Sequence, residues 1–283
     1  MKHVFLFLLL VLIQSNANSH PPKIIATIKP IHSLVASVTY GVLEPELLID
    51  DVVSIHDYML KPSNANKLEH SDVIFYVSDQ LETFIKNIRR KTLVALSQKV
   101  DLLPLRSTCR HTKNVKDFHV WLSPENAKIM VNHISLVLGE LDKANSWIYR
   151  KNAEETIERI ERNAQEIKRE LSSLKDQLYI VVHDAYQYFE KYFNLSAPSG
   201  ILPLGDEASI KISTINKIKR ITKENNIKCI FSEPQEQYVR SSTFTNGIEI
   251  KILDPIGNNI TPGKEAYFAI MSSIAKGFKA CFN

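Results

Sequence analysis

A run of about thirty residues, from Ala144 to Leu174, contains neither glycine nor proline and is dense in charge. It divides an otherwise mixed chain in two. Within it Ile157, Ile160, Ala164, Ile167 and Leu171 recur at spacings of three and four, the period of one helix face. Glu158 and Arg162 attract as i,i+4 neighbours, whereas Glu154 and Glu158 repel weakly. A helix of about thirty residues reaches about 45 Å, longer than a helix of an ordinary globular domain. The alternative is a coiled-coil dimer, but the stripe lasts too few heptads to favour it. The segment 144–174 reads as a rigid connector between two lobes.

Both flanks alternate short apolar runs with helical stretches. On the N-terminal side KIIATI, LLID, VIFYV and TLVALS read as strands, and helices open at Pro30, Pro62 and Pro124 and around DQLETFIKNI. On the C-terminal side LYIVV, KCIF and IEIKIL are strands. HDAYQYFEKYF, SIKISTINKIKRITKEN and the tail from Gly263 to Ala280 are helical. Strands separated by helices imply parallel sheets covered on both faces. The expected fold is α/β, with an N-terminal lobe over 18–143 and a C-terminal lobe over 175–283.

Residues 1–17 have the composition of a secretory signal peptide. Lys2 supplies the positive start, Val4 to Ile13 is an unbroken apolar run, and Ser15-Asn16-Ala17 places small residues before the cut. A buried strand would show period-two alternation, which this run lacks. It is too short to span a bilayer, and no later run approaches that length. No cysteine lies at the cleavage site, so a free, soluble periplasmic protein is expected rather than a lipid-anchored one. Basic residues number 35 against 31 acidic, and loss of Lys2 leaves a net charge of +3. That is too weak a bias to imply nucleic acid as a partner. Glycine-rich phosphate loops are absent, so nucleotide binding is not supported.

Three cysteines, Cys109, Cys229 and Cys281, allow one bridge in an exported protein. Cys229 closes the apolar segment IKCIF and Cys281 sits near the C-terminus, so a bridge between them would staple the tail to the last lobe. Cys109 lies in the polar stretch RSTCRHTKN. Three unpaired thiols are the alternative, which the compartment disfavours.

Among nine histidines, His56 in SIHDYMLKPS, His119 in KDFHVWLSP and His183 at the end of LYIVV each follow a strand or the loop leading from one. In open α/β sheets that is where ligands bind. Imidazoles converging from separated segments suit zinc, a borderline-soft ion bound near 2.0 Å. A lone histidine is more often a hydrogen-bonded core or surface residue. His32, His70, His111 and His133 lack matching contexts and read as structural or solvated.

HDYMLKPS, DFHVWLSP, VVHDAYQYFEKYFNL, CIFSEPQ and ILDPIG, in this order, resemble the ZnuA-like zinc-binding proteins of ABC transporters over nearly the whole mature chain. The resemblance implies two α/β lobes, a long connecting helix and a metal in the cleft between them. It implies that His56, His119 and His183 are ligands, that Asp254 matches a carboxylate ligating metal in parts of the wider family, and that Cys229 and Cys281 form a disulfide. It further implies a monomeric periplasmic receptor that passes zinc, its cargo, to an inner-membrane ABC permease with a cytoplasmic ATPase. Two positions depart from the common pattern. Ile55 stands where many zinc members carry glutamate, leaving Asp254 or water as fourth ligand; Asp254 is the one expected, since its charge would lower the +2 enclosed with three neutral imidazoles to +1. The loop RSTCRHTKNVKD is short and basic where many members have a long histidine- and acid-rich loop.

Asp57, Asp117 and Asp184 each neighbour a candidate ligand and could orient an imidazole, although helix capping explains Asp184 equally well. Glu233 is expected to line the cleft. Three imidazoles favour zinc over manganese, which prefers carboxylate oxygen. A secreted zinc hydrolase is the competing class, but no HExxH, GxSxG or Cys-His signature occurs. A surface adhesin would need an anchor that this N-terminus does not provide. The chain is therefore expected to be a transport receptor and not an enzyme.

Overall fold

Short β-branched runs bounded by turn residues pair into buried parallel strands because helices can cover both of their faces. The computed structural model describes residues 21–52, 54–89, 92–106, 115–202, 212–236 and 248–282. In the first sheet β1 (Ile24–Ala26), β2 (Glu46–Leu47), β3 (Val73–Tyr76) and β4 (Thr92–Ala95) lie in the order β2-β1-β3-β4. In the second, β5 (Ile180–Val181), β6 (Gly200–Ile201), β7 (Cys229–Ser232) and β8 (Glu249–Ile252) repeat that pattern as β6-β5-β7-β8. Every pairing is parallel, with Ile25 opposite Ile74 and Ile180 opposite Ile230. The two parallel-sheet α/β units expected from the sequence are present.

Seven α-helices are described: α1 (Lys29–Val38), α2 (Pro62–Glu69), α3 (Pro124–Leu141), α4 (Ser146–Glu170), α5 (Gln187–Phe193), α6 (Ile212–Asn225) and α7 (Ala266–Phe282). Proline stands in the first turn of α1, α2 and α3, where its missing N–H costs nothing. Two expected helices are shorter than their patterns. Around 79–88 only a 3-10 turn, Thr83–Asn87, forms. Glu82 folds back there to accept the N–H groups of Val77 and Ser78 and the hydroxyl of Thr27. The helix expected from His183 starts at Gln187, because the side chains of His183 and Asp184 are engaged elsewhere.

Helix α4 covers most of the glycine- and proline-free run. It buries Tyr149, Ala153, Thr156, Ile160, Ala164 and Ile167 against α1, α3 and α7, so it is packed along one face rather than spanning open solvent. Helix α7 returns from the second sheet to touch α1 and α4. Gly277 permits its close approach to the end of β8, since a Cβ there would collide with the Leu253 side chain. One core cluster consequently runs through both halves of the chain. The alternation along β5 sends Val181 into that cluster and Ile180 and Val182 into a smaller one on the other face, with Leu202, Ile227 and Ile230.

A disulfide joins Cys229 on β7 to Cys281 on α7, with Cα atoms 6.0 Å apart. It closes a sequence separation of 52 residues. Replacing both cysteines by serine is expected to destabilise the fold by about 4 kcal/mol in the chain-entropy picture. The shift in urea midpoint measures this, and an unchanged midpoint would contradict it. Cys109 lies outside the described residues.

Candidate metal centre

His56 sits in a 3-10 turn, Ile55–Asp57, whose start is capped by the Ser54 hydroxyl accepting the His56 N–H at 3.3 Å. Ile55 is buried in the core, which turns the turn's apolar side inward and leaves His56 exposed. His119 precedes a second 3-10 turn, Val120–Leu122, whose three residues are fully buried. His183 lies two residues past the end of β5. The three rings converge, with centroids 5.4 Å apart for His56 and His119, 5.1 Å for His56 and His183, and 4.8 Å for His119 and His183. One nitrogen from each lies within 4.8 Å of the other two. A tetrahedral zinc holds its nitrogen ligands roughly 3.4 Å apart, so a small inward movement completes the geometry.

Two rings are fixed by carboxylates on the nitrogen facing away. His119 Nδ1 donates to Asp117 Oδ1 at 2.8 Å, and the same oxygen accepts the His119 backbone N–H at 2.9 Å. His183 Nδ1 donates to Glu233 Oε1 at 2.6 Å. Each bond holds a proton on Nδ1, so Nε2 is the nitrogen left to face the centre, and at His183 its own proton must leave before it can donate a lone pair. His119 Nε2 is buried with no hydrogen-bond partner. An orphaned buried nitrogen costs about 1–3 kcal/mol, and an electrophile arriving at it removes that cost.

The electrostatics follow the same contacts. Although one edge of His56 is exposed, desolvation of the ring among its neighbours, then the charges of His119 and His183, push it down to about 3, against a smaller opposing pull from Asp117. At His183 burial also works downward, but the charge and hydrogen bond of Glu233 outweigh it and raise the ring to about 9. Burial works to raise Asp117, yet the charge and two hydrogen bonds of His119 hold it below the usual carboxylate range. Glu236 is pushed up to about 7 by burial and by the neighbouring charge of Glu233.

The remaining candidates sit as follows. Among the described residues the metal-competent group does not include Asp254. Its Oδ1 accepts the N–H groups of Ile256 at 3.2 Å and Gly257 at 2.8 Å, and its Oδ2 accepts that of Asn258 at 2.6 Å. Asp184 pairs with Arg106 rather than with an imidazole. The side chain of Asp57, together with Cys109 and His111, lies outside the described residues. His32 Nε2 meets the Pro45 carbonyl at 3.0 Å, His70 Nδ1 meets that of Asn66 at 2.8 Å, and His133 lies half-buried on α3, all apart from the cluster.

The sequence places Glu233 at the cleft without giving it a histidine. It gives no sign of Gln187, whose Nε2 donates to Asp117 Oδ2 at 3.1 Å and which nothing local marks. Asp117 is legible from its spacing to His119.

The family described as "Zinc-uptake complex component A periplasmic", ZnuA, matches residues 24–281. This chain belongs to that family. A high-affinity zinc uptake system protein ZnuA of Brucella suis is 30% identical over 310 residues, covering 92% of this chain and 91% of that protein. Its counterpart in Yersinia pestis is 26% identical, covering 95% and 94%. A crystal structure of ZnuA superposes with a TM-score of 0.79 at 20% identity, covering 93% of this chain and all of the other. A Zn(II)-bound mutant variant of AdcAII from Streptococcus pneumoniae superposes at 0.77 and 22%, covering 91% and 98%. These structures share the fold of this chain.

In this ZnuA-family chain the metal-free His183 is expected to keep its second proton up to about pH 9, and Glu233→Gln should return it toward the ordinary imidazole range. Because the folded pKa lies above the unfolded one, the pair stabilises the fold fully below about pH 6.5, and that contribution declines as pH rises from there and is lost by about pH 9. Side-chain nitrogen NMR of the histidines across pH reads both the parent and the variant. A His183 that titrates alike in the two would refute the assignment.

Proposed function

We propose that this protein is the periplasmic receptor of a high-affinity zinc uptake system, binding zinc through His56, His119 and His183 and passing it to an ABC permease. The observation that carries the reading is the triad itself. Three imidazoles from three distant segments converge, one of them buried with an unpartnered nitrogen. Membership of the zinc-uptake component A family supports zinc as cargo. All-imidazole ligation favours zinc over a harder ion such as manganese.

The charge on the site decides what the fourth position requires. Three neutral imidazoles leave zinc with +2, which is costly to enclose alone. Asp117 and Glu233, each one hydrogen bond behind a ligand, supply two compensating negative charges. A carboxylate bound directly to the ion is therefore not needed for neutrality, and the exposed edge at His56 admits water as the fourth ligand. Segments 18–143 and 175–283 act as the two lobes, 144–174 as the helix joining them, and 1–17 as the signal peptide that delivers the chain to the periplasm as a monomer. Among the described residues no helix is long and apolar enough to cross a membrane. The reading is of a carrier rather than an enzyme, because both lobes contribute ligands and enclose the ion.

Substituting alanine for His56, His119 or His183 should weaken zinc binding at least about tenfold, or ~1.4 kcal/mol. His32→Ala and His133→Ala should leave it unchanged. Glu233→Gln should cost about tenfold through its hold on His183. Competition with a chromophoric chelator measures all of these, and equal losses at all five histidines would overturn the ligand set. For delivery, the zinc-loaded protein should stimulate ATP hydrolysis by its permease in proteoliposomes, and the His183→Ala variant should not.

A further inference from the structure

The segment Asp254–Asn258 connects the end of β8 to the loop before α7, and both of its hydrogen-bonding faces are occupied. Asp254 gathers the N–H groups of Ile256, Gly257 and Asn258, and its Oδ1 also accepts the Asn258 side-chain amide at 3.1 Å. Gly257 adopts φ +76°, and a Cβ there would lie 2.5 Å from Ile270, so the tight turn requires glycine. Turning the amides inward leaves the carbonyls pointing outward, and the first half of the chain receives them. Lys29 Nζ donates to Gly257 O at 2.9 Å and Asn258 O at 3.2 Å, and Trp121 Nε1 donates to Pro255 O at 2.8 Å. Both donors are buried.

Each end of this contact leads to a ligand. The Trp121 indole packs against the His119 imidazole with centroids 5.3 Å apart. On the other side, the hydroxyl of Tyr186, three residues beyond His183, donates at 2.9 Å to the carbonyl of Leu253, the residue before Asp254. Contacts and short stretches of backbone thus link His119 through Trp121 to Pro255, and Leu253 through Tyr186 to the segment that carries His183.

We propose that the Asp254–Asn258 loop is a latch that sets the spacing of His119 and His183, with Asp254, Lys29 and Trp121 as positioning residues and Asp254 not a zinc ligand. The proposal rests on the three-histidine reading above. Three backbone N–H groups hold the Asp254 carboxylate in the loop, so turning it toward a metal would cost those bonds. Loosening the loop lets the two halves shift and separates imidazoles that must be held to a fraction of an ångström.

The test is zinc affinity by chelator competition for Asp254→Asn, Lys29→Met, Trp121→Phe and the Asp254→Asn/Lys29→Met double variant, alongside melting curves of the metal-free proteins and cobalt(II) absorption spectra. Lys29→Met makes no contact with the histidines and keeps the apolar stem, so it serves if the other variants fail to fold. Each single variant should weaken zinc about five- to tenfold, and the double should lose little more than the worse single, because both act on one loop. The cobalt bands should keep their positions throughout. Asp254→Asn that moves the cobalt bands while Lys29→Met leaves zinc affinity intact would make Asp254 a ligand and overturn the latch. Lower melting temperatures with unchanged zinc affinity would reduce the loop to a structural contact, which also overturns it. A parent protein that does not bind zinc, or His183→Ala that binds as tightly as the parent, would refute the ligand set instead.

Discussion

An imidazole becomes a dependable metal donor when its second nitrogen is held, and in this protein that hold reaches across the molecule. His119 is fixed by Asp117, and Asp117 is in turn fixed by Gln187, which belongs to the other half of the chain. Tyr188 reinforces the same junction, its hydroxyl donating to Asp117 O and accepting the Leu103 N–H. Arg106 adds a charged tie, with Nε 3.1 Å from Asp184 and Nη1 2.6 Å from Glu190. The ligand geometry of the first half is therefore set partly by residues of the second. A displacement of α5 would be felt at His119 before any metal is present.

Topology explains why the two halves contribute differently. Open parallel sheets bind ligands where neighbouring connections diverge, and in the second sheet that place lies between β5 and β7. His183 follows β5 and Glu233 follows β7, so this imidazole and the carboxylate that orients it come from the crevice itself. The equivalent position of the first sheet, between β1 and β3, is filled. Buried Glu82 sits there, accepting Thr27, Val77 and Ser78, and burial pushes its carboxyl up to about 7. With that crevice closed, the first half contributes to the histidine cluster through loops, which place His56 and His119.

Packing then limits how far the halves can move. Helix α7 belongs by its disulfide to the second sheet and by its buried face to α1 and α4. The Tyr267 N–H donates to the Ser33 hydroxyl at 2.8 Å, and Arg159 pairs with Glu265 while its guanidinium stacks over Phe268. A core continuous through both halves resists a wide hinge motion, since opening it would expose apolar area at about 25 cal/mol per Å². A small adjustment of ring positions suits such a frame better than the closing of two independent jaws.

Much of this was legible without coordinates. The alternation of apolar runs with helices fixes parallel α/β order, because only buried strands read as continuous apolar segments. The period of the 144–174 run predicts its helix, and proline marks three helix starts. His56, His119 and His183 stand out because strand-end position is a local property. Asp117 is legible for the same reason, two residues from its histidine. Tertiary structure alone decided the rest. Which acid serves His183 depends on β7 lying beside β5, fifty residues away, and no spacing in the chain encodes that neighbour. Gln187 and Arg106 act only because the two halves meet. Asp254 occupies a position that a linear motif assigns to metal, and only the tertiary structure shows that its oxygens also accept the three N–H groups of the tight turn around Gly257.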